Sequence, residues 1–200
     1  MISSLLSLLA LSASPIAPIA ESSNRYEEPV DDIVARLTIH AYQTVGSTPG
    51  HCFLSVKNKT SSSLSVGHLT LYGGQSLSVG TWDNNWHTGL FYNYENYDNG
   101  GWKNANCARV SIDITDIELL SLSAQLQNPS NNSYSNTNTC ASFASRVWNV
   151  LATSSMQITN SHWPDDIYDS IMLKSGHSTS SLIPSNSNVG YVQGSSFISI

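Results

Sequence analysis

Two short stretches of this chain carry residue types suited to nucleophilic chemistry. The first is Asn138-Thr139-Cys140-Ala141-Ser142-Phe143-Ala144-Ser145-Arg146-Val147-Trp148-Asn149, where small polar residues able to cap a helix are followed at once by a cysteine. Phe143, Ala144, Val147 and Leu151 follow Cys140 at the spacing of one helix face, so the thiol shares the buried face at the helix's first turn. Unpaired backbone N–H groups and the positive end of the helix dipole favour thiolate over thiol there. The same position also suits a small inert residue that fills space beside Phe143. The second stretch, Pro49-Gly50-His51-Cys52-Phe53-Leu54-Ser55-Val56, reads as a strand entered through a glycine turn. His51, Phe53 and Ser55 face one way, and Cys52, Leu54 and Val56 the other. A histidine opening a strand, upstream of a helix-starting cysteine, supplies the general base that a thiol nucleophile needs.

The elements that must position this pair are legible in outline. Residues 35–42 alternate as a first strand, on which His40 shares a face with Arg36 and Thr38 and is expected to face solvent. After the His51 strand, residues 64–72 read as the returning strand and 77–82 as a continuation of an antiparallel meander. Val110, Ile112 and Ile114 alternate in a later strand. Thr115-Asp116-Ile117-Glu118 then has the form of a capping box before a Leu119, Leu122, Leu126 stripe, closed by Asn128-Pro129. Residues 130–139 form a polar loop delivering Cys140. Trp163-Pro164-Asp165-Asp166 starts another helix.

The order Gly50-His51-x-Phe53-x-x-Val56, a long gap, then Asn138-x-Cys140-x-x-Phe143-Ala144-x-x-Val147-Trp148 resembles a known superfamily. It is similar to the permuted branch of the papain-like cysteine hydrolases (NlpC-type, lecithin:retinol acyltransferase-like), in which the histidine strand precedes the cysteine helix. Val66-Gly67-His68 and Val79-Gly80-Thr81-Trp82 extend the similarity to small secreted bacterial members, and it covers residues 36–177. The resemblance implies an α+β, papain-like fold: an antiparallel β-sheet packed against a helix that starts at the nucleophile cysteine. It implies Cys140 as nucleophile, His51 as base and no cofactor. The third polar group of such sites falls on a second histidine, with His68 the nearest equivalent and His87 behind it. The implied activity is thiol-dependent hydrolysis of amide or peptide bonds, with bacterial peptidoglycan peptides as the substrate.

At 200 residues the chain is long enough for one domain with an ordinary core. Charged residues make up 11% and the net charge is −6, with no basic run, which argues against a nucleic-acid partner. No metal-ligand spacing occurs. The run from Leu5 to Leu11, followed by small residues and prolines, resembles a secretory segment without its positive start. The expected organisation is a signal-like segment at 1–20, a flexible lead-in at 21–33, the papain-like domain at 34–177 and a polar C-terminal tail at 178–200. That tail either adds an edge strand or stays loosely ordered. A secreted or cell-envelope monomer without stable membrane insertion is expected. Cys52 and Cys107 are able to pair and leave Cys140 as the odd thiol, or all three are reduced. The segment from Trp82 to Trp102 interleaves aromatic residues with Asn, Asp and Gly. It reads either as a substrate wall built on Trp82, Trp86 and Tyr92 or as an aromatic-rich sheet with a decorated loop. The competing functions are a non-catalytic secreted glycan-binding domain, and an acyltransferase or toxin using the same Cys–His pair.

Overall fold

The computed structural model describes residues 32–85 and 87–200. The expectations for residues 1–20, for nearly all of 21–33 and for Trp86 lie outside the described residues. In chain order the elements are β1 (Ile33–Tyr42), β2 (His51–Asn58), β3 (Leu64–Val66), β4 (Leu69–Leu71), β5 (Ser76–Asp83), β6 (Thr88–Tyr92), α1 (Tyr94–Tyr97), β7 (Cys107–Thr115), α2 (Asp116–Gln127), α3 (Cys140–Leu151), α4 (Pro164–Met172), β8 (Gly190–Gln193) and β9 (Ser196–Ser199). The architecture is α+β. A seven-stranded antiparallel sheet runs in the order β7-β1-β2-β5-β6-β8-β9. Helices α2, α3 and α4 cover one face.

The alternation of β2 decides what each face holds. Cys52, Leu54 and Val56 join Leu37, Ile39, Val79, Leu90 and Val110 under the helices, packed against Leu122, Phe143, Val147, Trp148 and Ile167. On the opposite face Tyr42, Phe53, Trp102 and Cys107 form a smaller core. Helix α2 begins with the expected capping box, in which Thr115 and Glu118 satisfy each other's backbone N–H groups. Helix α3 begins at Cys140 itself, with Thr139 as N-cap accepting the Ser142 N–H.

Several local expectations are corrected. Residues 64–72 do not return alongside β2. Gly67, at φ 59°, turns them into the small separate β3–β4 hairpin, and β5 takes the place beside β2. His40 is buried rather than solvent-facing. It bonds the Ser55 hydroxyl at 2.8 Å and stacks on Phe53 at 4.4 Å, and desolvation drives its pKa down to about 3. For residues 178–200 the edge-strand alternative is the one found: Ser178 bridges to Arg109 of β7, and β8 and β9 extend the sheet beyond β6. Cys52 and Cys107 are free thiols on opposite faces of the sheet, so the alternative of a bridge between them is not realised. Among the described residues no helix is long and apolar enough to cross a membrane.

Phe143 is fully enclosed between α3 and the sheet. Phe143→Ala is expected to cost about 3–5 kcal/mol of stability, read as a lowered urea midpoint. A loss below about 1 kcal/mol would contradict its place in the core.

Candidate active site

The site forms where two neighbouring strands part. The β2–β5 ladder pairs Lys57 with Ser76 through Leu54 with Val79 and ends there, so His51 and Cys52 lie beyond it. The first turn of α3 meets the sheet at this opening. The Cys52 N–H, outside the ladder, is directed at the Cys140 sulfur, as is the N–H of Ala141. His51, at the first position of β2, stands close enough to the same sulfur for the two to act on each other's charge. Thr44 holds the approach to His51 in place, donating its N–H and its hydroxyl to the Asp165 carboxylate of α4 at 3.2 and 2.7 Å. Gly50 fits there because a Cβ would lie 2.2 Å from the Tyr42 carbonyl oxygen.

The group on the other side of His51 is Glu95, which the sequence reading missed. Its Oε1 lies 3.5 Å from His51 Nε2 and accepts the Trp82 indole N–H at 3.2 Å, while Oε2 accepts the Ser78 hydroxyl at 2.5 Å. Asn93 places it there. With φ 59° it is the sole described non-glycine residue in the left-handed region, a conformation asparagine tolerates better than most residues. Asn93 exchanges hydrogen bonds with the Ser78 backbone, and its turn brings Glu95 back over β5. The space it enters exists because residue 80 is glycine: a Cβ there would meet Glu95 Oε1 at 2.5 Å and come within 3.6 Å of His51 Nε2. The imidazole is enclosed by Trp82 at 4.0 Å and Trp102 at 4.9 Å between ring centroids.

Burial and charge oppose each other here. Burial is the largest effect on His51 and favours neutrality, yet the Cys140 sulfur and the Glu95 carboxylate together raise its pKa to about 9. Burial likewise opposes the Cys140 thiolate. The His51 charge and hydrogen bond, with the N–H groups of Cys52 and Ala141, more than offset that and hold the thiol below its ordinary range. The arrangement favours a thiolate–imidazolium pair, the nucleophilic state of cysteine. Cys52 differs: burial first, then the Cys140 sulfur and Asp165, push its thiol well up, so it stays protonated.

Of the expected site residues, Cys140, His51 and Trp82 come together, and Cys140 and His51 are only 6% and 4% exposed. His68 is elsewhere. In the β3–β4 turn its Nδ1 lies 3.2 Å from the Tyr92 hydroxyl, on the helix-covered face of the sheet. Tyr92 is fully buried in the main core and presents nothing to a substrate. His87 stacks on Tyr191 at 4.5 Å, away from the thiol–imidazole pair. Tyr134, from the loop before α3, lines the cleft beside Cys140. Among the described residues no group of three His, Cys, Asp or Glu side chains is placed to hold a metal ion.

No family model matches the chain, and neither do curated proteins or solved structures.

The pH dependence follows from the two shifts. The pair is lost at low pH when Cys140 gains a proton, and at high pH when His51, raised to about 9, loses its own. Removing the Glu95 charge lowers the His51 pKa, so Glu95→Gln is expected to move the alkaline limb of the activity profile to lower pH. An alkaline limb that stays in place would remove Glu95 from the site's electrostatics.

Proposed function

We propose that this protein is a thiol-dependent hydrolase of amide bonds, a permuted papain-like enzyme with Cys140 as nucleophile, His51 as acid–base and Glu95 as the carboxylate that holds the imidazole. The observation that carries this reading is the buried run from sulfur to imidazole to carboxylate, set at a helix start and opening onto a cleft. The motif order, histidine strand before cysteine helix on an antiparallel sheet, supports the superfamily assignment.

The Cys140 thiolate attacks the substrate carbonyl carbon, forming a C–S bond while the carbonyl π pair moves to oxygen. The backbone N–H of Cys140, in the first helical turn where no intrahelical acceptor exists, is available to that oxyanion. One such donor lowers a barrier by about 3 kcal/mol. Collapse restores the carbonyl and expels the amine, which takes the proton from His51. Water then yields a proton to His51, its oxygen attacks the thioester, and the thiolate leaves. With Nε2 facing Glu95, the other ring nitrogen serves these transfers. Glu95 keeps the ring oriented and stabilises its cation.

Peptides of the bacterial cell wall are the proposed substrate, and a secreted or envelope location accompanies that reading. The signal-like start and the aromatic-walled cleft support it. The glycan-binding alternative draws less support, because Trp82 and Trp102 turn their rings onto His51 and Tyr92 lies in the core.

Incubation with purified peptidoglycan, with released fragments read by mass, tests the proposal. Wild type releases peptides, Cys140→Ser releases none, and His51→Ala loses roughly 10²-fold or more in rate while melting as a folded protein. Release that survives Cys140→Ser would overturn the assignment.

A further inference from the structure

Three alternating residues of one strand surround the Glu95 carboxylate. Along β5 the positions of Ser78, Gly80 and Trp82 share a face, because successive residues of a strand point to opposite sides, and Val79 between them joins the main core. The Ser78 hydroxyl donates to Glu95 Oε2 at 2.5 Å, and the Trp82 indole N–H donates to Oε1 at 3.2 Å. Gly80 lies between these two donors and contributes only space: a Cβ there would stand 2.5 Å from Oε1 and 3.2 Å from the Phe53 Cβ. Both carboxylate oxygens therefore receive a hydrogen bond from β5 itself.

The same strand fixes the turn that delivers the carboxylate. The Ser78 N–H donates to Asn93 Oδ1 and the Ser78 carbonyl accepts the Asn93 N–H, at 2.9 Å each. Ser78 and Glu95 are fully buried, and the Trp82 ring stands 4.0 Å from the His51 ring. A buried carboxylate is stable only where donors replace the water it gives up. Here β5 supplies those donors and the room, and the residue at position 95 supplies only the carboxylate.

We propose that Ser78, Gly80 and Trp82 form a carboxylate-binding site in their own right, which places a carboxylate against His51 Nε2 whether or not that carboxylate is tethered to the chain. Its ligand class is a small monocarboxylate, and in the native chain Glu95 fills it. The three are positioning residues, acting on His51 through the group they hold. The proposal rests on the reading of Glu95 as the carboxylate that supports the imidazole.

NMR of histidine-labelled protein tests this without a substrate, the His51 signal being assigned by its loss in His51→Ala. In wild type the His51 imidazolium is expected to lose its proton at about 9. In Glu95→Ala it is expected to do so about one pH unit or more lower, because the anion beside the ring is gone. Sodium formate is expected to reverse that shift and to saturate, whereas sodium chloride at equal ionic strength does not. Adding Ser78→Ala to Glu95→Ala is expected to raise the formate concentration required by about 10-fold or more. Formate that acts no better than chloride overturns the proposal, and so does a formate effect that Ser78→Ala leaves unchanged. Should Glu95→Ala fail to fold, Gly80→Ala decides the matter. Its Cβ displaces the end of the Glu95 side chain and is expected to lower the His51 titration, and a titration equal to that of wild type overturns the proposal. A His51 titration unmoved in folded Glu95→Ala would instead defeat the role of Glu95 itself, and the positioning role of the three residues with it.

Discussion

The site depends on how one proton is shared between His51 and Cys140, and the charges and donors gathered there favour His51 as its holder. Removing a charge from water costs several kcal/mol per ion after relaxation, so a buried pair survives only where each charge is met from more than one side. Here the sulfur receives the imidazolium together with the N–H groups of Cys52 and Ala141, and the imidazolium receives the sulfur together with Glu95. Glu95 is itself met by the Ser78 hydroxyl and the Trp82 indole. Removing any of these contacts weakens the pair against burial, the strongest opposing effect on both groups.

Most of the sheet exists to hold that geometry. The β2–β5 ladder stops before His51, which frees a backbone donor for the thiolate and opens a place for the tip of α3. Trp148, Phe143 and Val147 fasten the helix to the same sheet, so sulfur and imidazole are carried by elements that share one core. Asn93 accepts a left-handed backbone to return Glu95 over Gly80, and that glycine leaves the hole into which the carboxylate fits.

What the sequence made legible was what a single segment encodes. The α3 stripe, its cap by a small polar residue, the α2 capping box and the facing of His51 against Cys52 are all local patterns, and each is found as expected. Glu95 was not legible because its role comes from a turn at Asn93 and a void at Gly80, which are far from His51 in sequence. His68 was a reasonable substitute on spacing, but the Gly67 turn sends it toward Tyr92. His40 misled for a related reason. Its polar neighbours on β1 suggested solvent, whereas Ser55 and Phe53 of β2 and the chain beyond β7 cover that face. Strands β8 and β9 lie in Ser/Asn-rich sequence whose short apolar patches acquire meaning only against the open edge of β6.

The most direct test of the proton's location is the ultraviolet absorbance of the thiolate, titrated with pH in wild type against Cys140→Ser. One thiolate present at mildly acidic pH, removed by the substitution and reduced by His51→Ala, is the predicted result. A difference spectrum that stays flat until pH reaches the range of an ordinary cysteine would contradict the account.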